Sequence, residues 1–255
     1  MGVMLDNISY YDEVKNVSLE IEEKKIYGVI GSSLSGKSLL AELISGGVAP
    51  SSGDIFLDSK VGMVYQNIND QFFYDNIKEE FIFNLKINGI NNIVKKISGS
   101  LKMVGFNSNI LNKSIYELSL SEQKRISLAL VLACNPDVII LDDLFFGLDG
   151  KTRDSVIRII RLLKVRYKKT IIIVSRDSDL IYSICDSVIL MNDGLILEIS
   201  DKYSIFKNSS LLKKCGISVP RLVDFSDILL KKKGINIGYR NDINDLVKDI
   251  YRFVR

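Results

Sequence analysis

The residues whose types and spacing most clearly suggest chemistry are Gly31 to Ser38, which read Gly-Ser-Ser-Leu-Ser-Gly-Lys-Ser. Glycines in such a loop let backbone N–H groups close on phosphate oxygens, Lys37 is spaced to reach the β and γ oxygens, and the Ser38 hydroxyl is a ligand for Mg²⁺. An apolar run at 26–30 precedes the loop and a helix-prone run at 39–44 follows it. The pattern predicts a nucleotide site, contacted by Gly31, Ser32, Ser33, Leu34, Ser35, Gly36, Lys37, Ser38 and Leu39.

Two carboxylates follow a continuous aliphatic run at 138–141, namely Asp142 and Asp143. An aspartate at the end of a buried strand is the expected ligand for Mg²⁺ beside Ser38, and the next carboxylate is placed to orient the attacking water. In the alternative interpretation, these two aspartates are solvated residues at the end of a strand and have no role in chemistry. The phosphate-binding loop alone leaves kinases, GTPases and ATPases open, so other landmarks must choose among them.

The segment 117–125 reads Glu-Leu-Ser-Leu-Ser-Glu-Gln-Lys-Arg and continues into an apolar stretch that ends at Asn135-Pro136. Here the chain resembles the ABC ATPase family, which carries Leu-Ser-Gly-Gly-Gln at this distance before the aspartate pair. The resemblance implies ATP and Mg²⁺ as cofactors and a head-to-tail dimer with two ATP molecules between the protomers. It assigns the signature that faces a partner's ATP to Ser119, Leu120, Ser121 and Glu122, the D-loop aspartate to Asp149, and the Q-loop glutamine, a Mg²⁺ ligand, to Gln66.

Two further segments, 66–73 and 211–220, are similar to the ATPase subunits of energy-coupling factor transporters, which import vitamins and transition-metal ions. A proline is usual in place of Ile68, a mild departure. The resemblance implies a second ABC ATPase subunit as partner, in a homodimer or a heterodimer, together with an integral membrane coupling protein and a substrate-binding membrane subunit. It places the chain peripherally at the cytoplasmic face of the cell membrane, with no specific nucleic acid.

The sequence pattern predicts an α/β fold, and the resemblance makes it a P-loop NTPase of the ABC ATPase type. Alternation at 3–10 and 17–21 predicts an antiparallel edge sheet, 171–174 reads as a second buried parallel strand, and Asn192-Asp193-Gly194 as a hairpin turn. Helical periodicity predicts a helical subdomain inserted at about 72–135 in the mixed-sheet core. We predict a nucleotide-binding domain at 1–200 and a helical C-terminal region at 201–255.

Within that C-terminal region, Pro220 is expected to open a helix. Its predicted inward face consists of Leu222, Phe225, Ile228 and Leu229. The region holds 12 Lys or Arg against 6 Asp or Glu, so it is basic, whereas residues 1–200 hold 22 against 25. Contact with anionic lipid or nucleic acid is one interpretation, and the solvated faces of surface helices are the other.

Three departures from the family pattern fall where the γ-phosphate is expected. Asp143 stands in place of a catalytic glutamate, which retracts the carboxylate by about 1.5 Å and is expected to slow hydrolysis. Arg176 replaces a switch histidine, and the chain contains no histidine. Arginine there can stabilise charge, hold the nucleotide too firmly, or pair with Asp177 or Asp179. Leu120 and Ser121 replace the signature glycines.

In a head-to-tail dimer these departures fall on two pockets, because Asp143 and Arg176 belong to the chain's own nucleotide, whereas Leu120 and Ser121 face the partner's. We therefore expect a heterodimer with a more regular ATPase chain. An aromatic ring before the loop is expected to stack on adenine, with Tyr11 preferred over Tyr10, although either tyrosine also fits a strand edge.

The composition further narrows the classes of protein to which this chain can belong. Hydrophobic residues make up 47% of 255 residues, yet no uninterrupted apolar run approaches the length of a membrane span, and no export signal is evident. The three scattered cysteines favour reduced thiols inside a cell. Three functions remain: an ATPase that energises a vitamin or metal-ion importer by dimer closure, a catalytically weak or silent ATP-binding partner in a heterodimer, or a non-transport ABC ATPase acting on nucleic acid or the ribosome.

Overall fold

The fold is built on two sheets, seen in a computed structural model that describes residues 2–235, 238, 240 and 243–254, without the side chains of 252–254. The larger sheet has six strands in the order β5-β6-β7-β3-β8-β9, of which only β9 runs antiparallel to its neighbour. Its strands are β3 (Ile26–Gly31), β5 (Val61–Val64), β6 (Val138–Asp142), β7 (Thr170–Val174), β8 (Ser187–Asn192) and β9 (Leu195–Asp201). The smaller, antiparallel sheet contains β1 (Val3–Tyr10), β2 (Val14–Ile21) and β4 (Ser52–Leu57).

The α-helices among the described residues fall into four groups along the chain. α1 (Lys37–Ser45) directly follows β3, and α2 (Ile77–Ile87), α3 (Ile93–Met103) and α4 (Leu120–Cys134) form the insertion between β5 and β6. α5 (Gly150–Val165) and α6 (Ser178–Ile184) follow β6 and β7. The C-terminal region contains α7 (Lys202–Lys207), α8 (Ser209–Lys214), α9 (Arg221–Lys233) and α10 (Ile243–Val254). The predicted fold class is confirmed, whereas the exact domain boundary at residue 200 stays a prediction.

The large sheet is covered on both faces, as its unbroken aliphatic strands require. Successive side chains of a strand point to opposite faces. In β7, Ile171 and Ile173 therefore join the core formed with the insertion, α5 and α6, whereas Ile172 and Val174 join the core formed with α1 and the small sheet. This double burial fixes the strand ends that carry the polar residues.

The inward face predicted for α9 is confirmed at Leu222, which packs against the core, but is wrong at two other positions. Phe225 and Ile228 are exposed, whereas Val223 and Ser226 are the buried residues of this helix. Ser226 is buried without penalty because its hydroxyl donates to the carbonyl of Leu222 at 2.9 Å. Phe225 instead lines an open groove formed by α5, α6, α9 and α10, and the sequence pattern did not anticipate the packing of α10.

Candidate functional site

The candidate site lies at one edge of the large sheet, where three parallel strands end. The register pairs Val29 of β3 with Val174 of β7, and Val174 with Asp142 of β6, so the residues that follow these strands converge. They open onto a cavity of about 580 Å³. Of the predicted site residues, the lining includes Ser33, Leu34, Ser35, Gly36, Lys37, Ser38, Leu39, Gln66, Asp142, Asp143 and Arg176.

The loop between β3 and α1 is shaped to receive an anion. Leu34 has a φ of 61° and Gly36 a φ of 89°, and α1 begins at Lys37 without a side-chain cap on its first turn. The uncapped N–H groups of that turn can therefore donate to phosphate oxygens. A Cβ at Gly36 would lie 2.7 Å from the carbonyl oxygen of Glu13, so the loop requires glycine here. This cradle fits a nucleotide phosphate group.

The cation of the loop is Lys37, which is buried with 8% exposure. Its Nζ donates to the carbonyl oxygen of Ser32 and, at 3.1 Å, to the hydroxyl of Ser35. Burial, and then the nearby charge of Arg176, lower the pKa of Lys37. An anion beside this ammonium group would offset both effects, so its surroundings also suit a phosphate.

The carboxylate best placed for a metal is Asp142, the last residue of β6. Burial is the main cause that raises its pKa to about 6, Asp143 adds to the rise, and a hydrogen bond with Ser38 opposes it. A buried carboxylate beside a hydroxyl is a hard oxygen donor set of the kind that Mg²⁺ prefers. Ser38 and Asp142 therefore fit a Mg²⁺ ion, with Gln66 on the same cavity wall.

Asp143 and Arg176 stand at the ends of neighbouring strands. Asp143 has a φ of 47°, and its N–H donates to the carbonyl of Val174 at 3.0 Å. Arg176 is exposed and donates from Nη1 to the Ser33 hydroxyl at 3.0 Å. The ion pairs considered for Arg176 are wrong, because different arginines pair with those two aspartates. Arg153 binds Asp177 at 2.6 Å, and Arg221 binds Asp179 at 2.7 Å.

The predicted signature residues lie outside this cavity, at the N-terminus of α4. Ser119 caps that helix, and its N–H and hydroxyl both donate to Glu122, at 2.9 and 2.8 Å. These bonds lower the pKa of Glu122, which stays ionised at neutral pH. Leu120 is 46% exposed, whereas Ser121 is half-buried. Asp149 caps α5 by accepting from the N–H of Thr152 at 3.0 Å. The chain does not bring its signature and its own phosphate loop together.

Three residues predicted to contact the nucleotide do not line the cavity, and the sequence pattern missed a fourth residue that does. Tyr11 does not line the cavity; it is 76% exposed and stacks edge-on with Tyr10 at 4.8 Å, so its role stays a prediction. Gly31 and Ser32 belong to the loop but not to the cavity lining. Glu13 lines the cavity although no motif indicated it. It arrives there because the segment between β1 and β2 runs beside the loop, as the Gly36 contact shows.

Comparison with known proteins decides the family. The sequence model described as "ABC transporter" (ABC_tran) matches residues 14–145, slightly more than half of the chain. The chain belongs to the ABC transporter family. As a member of this family it is an ATP-binding ABC-type ATPase. None of the helices among the described residues has the length and apolar character that a bilayer crossing requires.

Several curated relatives of this family member share one name. Energy-coupling factor transporter ATP-binding protein EcfA2 of Clostridium perfringens is 34% identical over 265 residues, which covers 93% of each chain. The protein of the same name from Staphylococcus epidermidis is 30% identical and covers 91% of each. That of Mycoplasma capricolum is also 30% identical, covering 94% of this chain and 92% of the relative.

Solved structures agree on the fold. CbiO1 of Clostridium perfringens, part of the ABC transporter complex CbiONQ, superposes with a TM-score of 0.70 at 24% identity and covers 89% of this chain and 98% of that one. The dimeric ATP-binding cassette MJ0796, in a post-hydrolysis state with ADP and Pi, gives a TM-score of 0.71 at 24% identity, covering 78% and 98%. At this identity the likeness shows the shared ABC ATPase fold.

Proposed function

We propose that this ABC ATPase is the peripheral ATP-hydrolysing subunit of an energy-coupling factor importer for a vitamin or a transition-metal ion. The relatives with this name align along more than nine-tenths of the chain. The observation that carries the proposal is the cavity at the sheet edge, where Lys37, Asp142 and Arg176 converge beside an uncapped helix N-terminus. Its place in the cell is then the cytoplasmic face of the membrane.

In this proposal the cavity is the nucleotide site, and the chain's residues divide the work on ATP. The first turn of α1 and Lys37 hold the β- and γ-phosphates, and Ser38, Gln66 and Asp142 hold Mg²⁺. When bound there, Mg²⁺ would act as a Lewis acid that offsets the negative charge of the phosphates. Asp143 orients water toward the γ-phosphate, and Arg176 places five fixed donors beside it. Because aspartate is shorter than glutamate, turnover is expected to be slow.

In this proposal, ATP binding acts by closing the dimer. The signature turn at Ser119 lies on a different surface from the phosphate loop, so it completes a pocket only with the loop of another chain. The nucleotide contributes charge and contacts that exist only in the closed state, which shifts the equilibrium toward closure, and hydrolysis reverses it. Asp149, the proposed D-loop aspartate, caps the start of α5.

The surface proposed for the membrane coupling protein is a groove between β5 and α4. It has a volume of about 420 Å³ and is lined by Met63, Tyr65, Gln71 and Phe73, among others. Phe73 is 78% exposed, and the buried carboxylate of Glu80 accepts from the N–H groups of Phe73 and Tyr74 at 2.9 and 2.8 Å. A fixed backbone that presents an exposed aromatic ring suits a partner helix.

Purification of the tagged chain from detergent-solubilised membranes tests the proposal. We expect two integral membrane proteins and a second ABC ATPase to copurify, in amounts that fall when Phe73→Asp is introduced. Phe56→Asp is the matched control, because Phe56 is also an exposed phenylalanine but lies in the small sheet. Recovery of ribosomal proteins or nucleic acid in place of membrane proteins would refute the importer role.

A catalytically silent partner subunit is the second candidate, favoured by the aspartate at 143 and the altered signature. In that case the chain retains ATP while a more regular ATPase chain in the heterodimer hydrolyses its own. Phosphate release by the chain alone, and then by the copurified complex, separates the two functions. Tight ATP retention with no phosphate release from this chain's pocket favours the silent role, whereas vigorous turnover by the chain alone excludes it.

A further inference from the structure

A buried lysine joins the signature helix to the segment that carries Asp143. Lys124, in the second turn of α4, is 4% exposed. Its Nζ donates to the carbonyl oxygens of Asp143 at 2.8 Å and Phe146 at 2.7 Å, and lies 5.6 Å from the centre of the Phe146 ring. Burial lowers the pKa of Lys124, while the charges of Asp143 and Asp142 act in the opposite direction. Two short bonds to carbonyl oxygens compensate its desolvation.

A second contact reinforces the first. Leu120 precedes Lys124 by four residues, so both side chains lie on one face of α4. Gly147 has a φ of 78°, and a Cβ there would lie 3.0 Å from Cδ2 of Leu120. The same helix face therefore contacts the segment 143–147 near both of its ends. The leucine that replaces a signature glycine packs against this segment.

These contacts link two places that serve different nucleotides in the proposed dimer. Asp143 belongs to the chain's own pocket, whereas Ser119, at the start of α4, faces the pocket of a second chain. We propose that Lys124 is a positioning residue that fixes the segment 143–147 to the signature turn. Nucleotide binding in one pocket then alters the backbone at the other pocket. This inference rests on the proposed function, because it assumes ATP in the cavity.

Two amides of the segment report directly on the link. The N–H of Phe146 donates at 3.2 Å to the Asp143 carbonyl oxygen, the same oxygen that Lys124 binds. The N–H of Leu148 donates at 3.3 Å to the carbonyl oxygen of Phe145. Hydrogen exchange of these amides measures how often the segment opens. Removing the ammonium group takes away the two bonds that hold the turn to α4, so opening becomes more frequent.

The test compares wild type with Lys124→Met, which keeps the stem and removes the charge, and with Lys124→Arg, which restores it. In the nucleotide-free chain we expect exchange within 143–148 to be at least about tenfold faster in Lys124→Met and near wild type in Lys124→Arg. Lys202→Met is the matched control, because Lys202 is also a buried lysine with a pKa lowered by burial. It should leave 143–148 unchanged.

The coupling is measured by adding Mg²⁺ and ATP at a concentration where sedimentation shows single chains. In wild type we expect ATP to slow exchange at 143–148 and also to change it at 119–123. In Lys124→Met the change at 119–123 should be lost, although the dissociation constant of a fluorescent ATP analogue stays within about threefold. A purely structural role would not separate these readouts.

Two outcomes overturn the inference alone: nucleotide-free exchange at 143–148 equal in wild type and Lys124→Met, or a full ATP response at 119–123 in Lys124→Met. Failure of ATP to protect residues 31–38 of wild type would instead overturn the proposed function. The nucleotide-free comparison tests the lysine contact in either case.

Discussion

Arg176 donates to the hydroxyl of Ser33 at 3.0 Å, which ties the segment after β7 to the phosphate loop after β3. The guanidinium group also contributes to the lowered pKa of Lys37, so two cations share one pocket. Like charges this close destabilise each other until an anion lies between them. Arg176, which we predict to occupy the switch position, therefore lies beside the phosphate loop, where we propose that it binds nucleotide.

Arg176→Gln should weaken ATP binding by about tenfold or more, since a hydrogen bond to a charged group contributes about 1.5–3 kcal/mol. The loss for ADP should be smaller if the side chain reaches the γ-phosphate. Calorimetric titration of both nucleotides measures the difference. Arg166→Gln, an exposed arginine at the end of α5, is the control. Equal affinities in Arg176→Gln and wild type would contradict this role.

Asp143→Glu combined with Arg176→His should raise ATP turnover. The longer carboxylate reaches further toward the attacking water, and general-base geometry is sensitive to displacements of about 1 Å. Steady-state phosphate release by wild type and the double variant provides the measurement. A double variant slower than wild type would count against the roles given to these two positions.

Gly36→Ala should lower the melting temperature and abolish tight ATP binding. A methyl group there would meet the backbone of Glu13 at 2.7 Å in a left-handed conformation, and the two effects should cost more than about 1 kcal/mol. Gly99→Ala is the matched control, since Gly99 lies inside α3 with open space around it. That change should stabilise the protein by up to about 1 kcal/mol. A Gly36→Ala variant as stable as wild type, with a destabilised Gly99→Ala variant, would refute the geometry.

The variant Asp177→Asn tests the ion pair that Arg153 forms with Asp177, the residue next to Arg176 in the chain. Asp177 caps α6 by accepting from Leu180 at 2.9 Å and pairs with Arg153. Burial acts to raise its pKa, but these hydrogen bonds outweigh it and the pKa is lowered. The ionised form therefore stabilises the fold above the unfolded pKa of about 3.9, and this contribution is lost as the pH falls through the lower folded pKa.

Asparagine still caps a helix, and the pair is part-exposed, so the loss at pH 7 should be below about 1 kcal/mol. Melting temperatures of both proteins from pH 7 to pH 3 measure it. The gap between wild type and Asp177→Asn should be constant down to about pH 4 and narrow below that. A gap that widens on acidification would contradict the assigned pKa direction.

The sequence was sufficient for the strand ends and the phosphate loop, because unbroken aliphatic runs at 138–141 and 171–174 predict buried parallel strands and the polar residues follow them directly. These are local signals. Glu13 and Lys124 were missed because their positions depend on packing between segments far apart in the chain. Lys124 lies in the predicted signature segment, and the sequence of that segment does not distinguish a buried lysine from a solvated one.

The C-terminal helices show another limit of periodicity. In α9 the spacing of Phe225 and Ile228 predicts an inward face, but α9 packs through Val223 and Ser226. A hydroxyl that bonds its own helix can be buried as readily as an aliphatic side chain, and the pattern does not reveal this. The partner of Arg176 was similarly undecidable, since Asp177 and Asp179 are its neighbours in sequence while Ser33 is 143 residues away.

The affinity of Mg²⁺-ATP for wild type and for Lys37→Ala, measured by calorimetric titration, tests the central claim most directly. Lys37 is the buried cation of the cavity, and its ammonium group should supply a charge-assisted contact to the phosphates. We predict at least about a hundredfold weaker binding in Lys37→Ala with an intact fold. Equal affinity for ATP in the two proteins would contradict the assignment of this cavity as the nucleotide site.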